Sequence, residues 1–239
     1  MVFTAQELAK LMPDASQLES DEPEMESSLH YIQLALLVAC LEWHWRDRND
    51  FFIGANLTVY YSQQQLRNRD FRGPDFFLIA NTEKRPRRSW VVWEEDGKYP
   101  DLIIELLSTS TARVDRNEKK SLYQNRFRTP EYFWFDPEDL EFHGFRLSGQ
   151  EYQAIVANEF GGLWSEVLEL YLGIHDGQLR YFTPDGQLVP TPEEAALQAQ
   201  AQAAQAQAQA AQAQAQAAQA QARAESLANQ LRALGIEPE

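Results

Sequence analysis

At 239 residues the chain has room for one globular domain and an appendage, and 44% hydrophobic content with 12% aromatics supports a real core. Its formal charge of -15 excludes a protein that coats nucleic acid non-specifically, because phosphate binding draws on positive potential. The single cysteine, Cys40, excludes an internal disulfide framework or thiolate metal cluster and favours a reducing compartment.

Residues 1–23 are acidic and proline-bearing with little periodicity, and are expected to form a lead-in. From Glu24 to Asp47 the apolar positions Leu29, Ile32, Leu36, Ala39 and Trp43 recur at helical spacing. The run Leu34 to Leu41 is almost wholly apolar, so this helix is expected to be buried on much of its circumference. Its polar exceptions Glu26, His30 and Gln33 stack on one stripe, which faces solvent or points at a site. Phe51 to Tyr61 reads as a strand and Asp75 to Ala80 as a second, both rich in β-branched and aromatic residues. A charged loop runs from Asn81 to Lys98 around the apolar knot Trp90-Val91-Val92-Trp93. Leu102 to Leu107 is a third strand, so continuously apolar that it belongs at the centre of its sheet. Ser108-Thr109-Ser110-Thr111 offers capping hydroxyls for a helix through about Arg126. Glu131 to Phe135 is a fourth strand; Leu140 to Arg146 and Tyr152 to Val156 flank Ser148-Gly149 as a hairpin. Short strands and turns follow through Val189. The order helix, strand, strand, strand, helix, strand predicts an α/β sandwich with a mixed sheet and helices on its faces.

From Thr191 the character changes. Thr191-Pro192-Glu193-Glu194 is a helix start, with a hydroxyl cap, proline in the first helical position and glutamate at the capping-box position. A repeat of glutamine and alanine then runs from Gln198 to about Ala222. Leu227, Leu231 and Leu234 set a seam whose earlier positions are all alanine, with Gly235 as the stop. Alanine favours helix but buries little area, so a long helix is expected and a coiled coil is one use of it, a solvated low-complexity helix the other. The domains expected are thus 1–23, 24–190 and 191–239.

Three residues carry chemistry. Asp75 follows Gly73-Pro74 and opens an apolar strand; Glu105 interrupts Leu102-Ile103-Ile104-Glu105-Leu106-Leu107; Lys119 lies in the helix that follows. A carboxylate inside a buried strand is costly unless paired or bound to a cation. Two carboxylates on adjacent strands, with an ammonium arriving from the next helix, would hold a divalent metal and steady a phosphate, as in a metal-dependent nuclease. Taken singly, Asp75 also reads as a turn residue, Glu105 as a salt-bridged strand residue and Lys119 as a solvated lysine beside Lys120. Arg67, Arg69, Arg72, Lys84, Arg85, Arg87 and Arg88 crowd the loops on either side of the strand opened by Asp75. They make a basic mouth for nucleic acid, with the six arginines as contacts, or a solvated arginine-rich loop pair. His30, His44, His143 and His175 show no metal-ligand spacing, and no dinucleotide glycine loop, Walker lysine or nucleophile elbow is present.

The pattern Gly73-Pro74-Asp75, Pro100-Asp101-Leu102-Ile103-Ile104-Glu105-Leu106-Leu107-Ser108 with Ser110-Thr111, Asp115-Arg116 with Lys119 and Tyr123, then Pro130-Glu131-Tyr132-Phe133 and Asp136-Pro137, resembles the Uma-type restriction endonucleases of cyanobacteria, within the PD-(D/E)XK nuclease superfamily. The resemblance covers about residues 25 to 185 and is most specific from Leu102 to Pro137. It implies a restriction-endonuclease-like core, a divalent metal, and Asp75, Glu105 and Lys119 as the site. The superfamily's usual lysine, two residues after the glutamate, is Leu107 here, and the resemblance implies that Lys119 replaces it.

The expectation is a metal-dependent endonuclease, with Asp75 and Glu105 as ligands of Mg2+ or its substitute Mn2+, and Glu26, Asp101 and Tyr123 as accessory candidates. Its partner would be double-stranded DNA, addressed as a homodimer. The alternative is an inactive nuclease-fold module that binds nucleic acid or protein, joined by its tail. A weaker third reading makes the protein mainly an oligomeric scaffold built on that tail. No stretch reaches the roughly 18 to 20 apolar residues a membrane helix needs, and no export pattern surrounds Glu7, so a cytoplasmic location is expected.

Overall fold

The computed structural model describes residues 18–20, 27–62, 73–107 and 118–233. These fall into two compact units, Met1–Thr191 and Pro192–Glu239.

Helix α1 (Ser28–His44) opens the first unit, with Ser27 as N-cap accepting from the His30 amide. Its buried residues are His30, Gln33, Leu34, Leu37, Cys40 and Leu41, whereas Leu29 and Ile32 are about half exposed. The buried face is therefore turned about one residue from the apolar stripe read in the sequence, and His30 and Gln33 of the polar stripe are buried. His30 Nε2 donates to the Leu107 carbonyl (2.8 Å), and Gln33 both donates to the Leu179 carbonyl (2.9 Å) and accepts from the Leu179 amide (3.0 Å). An apolar run offers no periodic contrast, so the polar groups that find backbone partners decide which face turns inward.

Strands β1 (Phe51–Ala55), β2 (Val59–Tyr60), β3 (Phe76–Ala80) and β4 (Trp90–Val91) follow, then a 3₁₀ turn at Val92–Glu94 and β5 (Leu102–Leu106). The single strand expected over Phe51 to Tyr61 is broken at Asn56, which adopts a left-handed φ of 46°. That break sends β2 into a separate parallel pair with β4. A helical segment comprises α2 (Lys120–Leu122) and a π-helical turn at Tyr123–Phe127. It leads to β6 (Glu131–Phe135), then to the hairpin β7 (Phe142–Ser148) and β8 (Glu151–Ala154). The main sheet runs β1-β3-β5-β6-β7-β8. Only β5 and β6, joined across the helical segment, pair in parallel, so the sheet is mixed, as the element order predicts.

Its two faces carry separate cores. On one face lie α1 and a three-stranded antiparallel sheet of β9 (Leu163–Ser165), β10 (Leu170–His175) and β11 (Gln178–Phe182), packed on Phe76, Ile104, Phe133 and Phe135. On the other face Phe77, Ile103, Tyr132 and Trp134 meet Val59, Trp90, Val92, Tyr123 and Phe127. Packing there is tight: a Cβ on Gly54 would lie 2.1 Å from the Phe77 ring. This second face carries the candidate site.

In the second unit, α3 runs from Pro192 to Ala233 over 42 residues with none buried. At about 1.5 Å per residue it is roughly 63 Å long. Proline occupies its first position and Glu193 and Glu194 its first turn, where they complement the helix dipole. Leu234 and Gly235 lie outside the described residues. No helix among the described residues is long and apolar enough to cross a membrane.

Candidate active site

Side chains alternate along β5, so Ile103, Glu105 and Leu107 share a face, which β6 extends with Tyr132 and Trp134. Glu105 is fully buried there. Asp75 stands one residue before β3. In the antiparallel ladder Phe76 pairs with Ile104 and Phe77 with Ile103. Continuing that register by one residue sets Asp75 opposite Glu105, and opposed residues project to the same side. The Glu105 carboxylate lies beside Asp75, whose Oδ2 accepts from the Leu106 amide at 2.7 Å. Burial, and next the charge of Glu105, push the Asp75 carboxyl well above the ordinary carboxylate range; Lys119 and the Leu106 amide oppose the shift.

The helical segment supplies the remaining partners. Lys119 Nζ donates to Glu105 Oε2 at 2.9 Å, and the Tyr123 hydroxyl donates to Oε1 at 2.6 Å. The Lys119 side chain keeps 17% of its surface exposed, so the buried carboxylate reaches water's edge through this ammonium. Burial first, then Glu105, push the Tyr123 phenol well up, which keeps it a donor. Lys120 points elsewhere: its Nζ lies 3.3 Å from the Phe145 ring centroid, and burial lowers its pKa. Leu107, where the superfamily's usual lysine would stand, is buried in the apolar core.

Among the described residues no group of three or more His, Cys, Asp or Glu side chains converges as a metal site. The donor set of two carboxylates nonetheless suits magnesium, a hard cation that takes oxygen ligands and keeps several waters. Two carboxylates in contact repel when both ionise, and a divalent ion would relieve that repulsion.

The other candidates separate from this cluster. Glu26, Arg67, Arg69 and Arg72 lie outside the described residues. Asp101 stands four strand positions from Glu105, about 13 Å away at 3.3 Å per residue. Its Oδ2 accepts from the Ala80 amide at 2.8 Å, so it ties the start of β5 to the end of β3 rather than joining the pair. Arg87 grips Glu95 with two hydrogen bonds, Nε to Oε1 at 2.6 Å and Nη2 to Oε2 at 3.0 Å, and only 3% of its side chain is exposed. Arg85 pairs with the same Glu95 and Arg88 with Glu19, each at 2.8 Å near solvent, where such pairs are weak and exchangeable. A second buried carboxylate, Glu131, shares the face of Phe133 and Phe135 in β6 and so lies on the side of the sheet away from the site. Arg146, the Glu166 amide and the Ser165 hydroxyl satisfy its oxygens, which fastens the small sheet to the large one. Its place in the strand alternation is the sequence signal for that role.

Residues 17–180 match the family model Uma2, described as "Putative restriction endonuclease". A solved structure of a "putative nuclease" from Anabaena variabilis is 16% identical, with a TM-score of 0.48, covering 74% of this chain and 97% of its own. No curated protein matches the chain. The family match spans well over half of the sequence, and the chain belongs to the Uma2 restriction endonuclease family.

Proposed function

We propose that the chain is a divalent-metal-dependent endonuclease that hydrolyses phosphodiester bonds of double-stranded DNA, with Mg2+ as its ion and Mn2+ as a working substitute. The observation that carries this reading is the fully buried Glu105 set beside the half-buried Asp75, with the partly exposed Lys119 on their rim. Asp75 and Glu105 would hold the ion, which when bound supplies a polarised phosphoryl oxygen and a water of lowered pKa. The chain's own residues supply the setting. Glu105 anchors the Lys119 ammonium at 2.9 Å, at an edge of the cluster that meets solvent, where it stabilises negative charge developing on the phosphate. Phe77, Ile103 and Trp134 exclude bulk water behind the carboxylates, which strengthens those interactions.

The choice of DNA rests on the family's description as restriction endonucleases. A homodimer would suit a duplex, one subunit to each strand, and α3 offers a helix through which two copies would associate. The test is nicking and linearisation of supercoiled plasmid with Mg2+ or Mn2+, comparing the wild type with Glu105→Gln. Cutting by the wild type and none by the variant supports the reading. A variant that cuts at the wild-type rate removes Glu105 from the site, and a wild type that binds duplex without cutting leaves the binding-module alternative.

A further inference from the structure

We infer that Tyr123 is a positioning residue of this site: its hydroxyl fixes the Glu105 carboxylate in the orientation that meets Asp75. The inference rests on the nuclease reading above and concerns a group that touches neither substrate nor reacting atoms. At 2.6 Å the Tyr123–Glu105 contact falls in the short range of hydroxyl–carboxylate hydrogen bonds. Lys119 holds the other oxygen, so both ends of the carboxylate are gripped from one helical turn. Residues four apart lie on one face of a helical turn, so Lys119 and Tyr123 reach the same carboxylate; from Tyr123 the segment continues as a π turn, a distortion that recurs at functional sites.

Packing does not explain the hydroxyl. The Tyr123 ring lies against Phe127 (5.4 Å between centroids) and Tyr132 (5.6 Å), contacts that a phenylalanine would also make. What phenylalanine lacks is the donor to Oε1. Glu105 has a flexible side chain in a fully buried place, and without that donor Oε1 would be left among apolar rings. The carboxylate would then turn toward its remaining partners, and the opposed pair would lose its geometry. Lys119 cannot substitute, since it already serves Oε2.

The experiment measures Mn2+ affinity by electron paramagnetic resonance, steady-state plasmid cleavage and thermal unfolding, for the wild type, Tyr123→Phe and Tyr152→Phe. Tyr152 also donates from a part-buried hydroxyl, to the Thr129 carbonyl at 2.9 Å, and serves as the control for losing such a bond away from the site. Tyr123→Phe is expected to weaken Mn2+ binding or kcat about 10- to 100-fold, the usual effect of removing a partner that orients a ligand. KM for plasmid should stay near wild type, the unfolding temperature should fall only by the cost of one lost hydrogen bond to a charged group, and Tyr152→Phe should leave Mn2+ affinity and kcat unchanged. Equal Mn2+ affinity and kcat in wild type and Tyr123→Phe overturn the inference alone. A Tyr123→Phe protein that fails to fold overturns it too, since the hydroxyl would then be a structural group. A wild type that binds no Mn2+ overturns the nuclease reading and this inference with it.

Discussion

Replacing Arg87 separates a structural cation from a phosphate-binding one. Its guanidinium makes two bonds to Glu95, donates to the Glu83 carbonyl at 3.0 Å and lies 4.8 Å from the Phe52 ring and 4.9 Å from the Trp90 ring. Arg87→Met keeps much of the apolar stem but leaves the Glu95 carboxylate, 13% exposed, without its principal partner. Breaking a buried pair on one side costs about 3–5 kcal/mol; Arg85, still 2.8 Å from Glu95, places the expectation near the lower end, about 3 kcal/mol. For a domain of this size that corresponds to a fall in Tm of roughly 6–12 °C. The double variant Arg87→Met/Glu95→Leu should recover most of the loss, because apolar residues often replace a buried ion pair at little cost. Urea denaturation gives these energies. Duplex binding by fluorescence anisotropy across a salt series, in the Glu105→Gln background, gives the number of phosphate contacts. If Arg87 is internal, the salt slope stays at its wild-type value, whereas a lost phosphate contact would lower it by about 1. An Arg87→Met protein of wild-type stability with a reduced slope would refute the structural assignment.

Lys119→Ala should lower kcat about 100- to 1,000-fold with little change in metal affinity, as expected of a group acting on developing charge. Lys120→Ala should leave turnover nearly unchanged and cost about 0.5–1 kcal/mol through its lost contact with Phe145; equal kinetic losses would point to general electrostatics. Gln33→Ala leaves the amide and carbonyl of Leu179 without their partner, and denaturation should show a loss of about 2–5 kcal/mol. A loss below about 0.5 kcal/mol, typical of surface positions, would return that side chain to a solvent face. Truncation after Thr191 should remove much of the far-UV helical signal while the core keeps its unfolding temperature and tryptophan fluorescence. Light scattering should show a lower order of association; an unchanged order would move any dimer contact to the core, and loss of core folding would refute the appendage reading.

Features that repeat over short distances are legible in the residues alone. The alternation through β5 marks Glu105 as buried because its neighbours are apolar on both faces, and only a partner or cation makes that tolerable. The Pro192 start and the glutamine-alanine run determine α3 because alanine propensity needs no tertiary contact. The mixed sheet follows from element order, since parallel pairing of β5 and β6 requires a crossover between them. Contacts between partners far apart in the chain emerge only on folding. Asp75 meets Glu105 only through the β3–β5 register, and Asp101 is excluded only by its distance along that same ladder. Tyr123 reaches Glu105 because the helical segment docks on the β5 face, a placement that no local propensity announces. The inward face of α1 depends on Gln33 finding Leu179 in β11, 146 residues away. Arg85, Arg87 and Arg88 read alike in sequence, yet burial against Phe52, Trp90 and Glu95 makes one an internal strut and leaves two at the surface. Period and propensity are properties of neighbouring residues, whereas the partner of a polar group is chosen by folding, where leaving it buried and unpaired costs more than any local preference supplies.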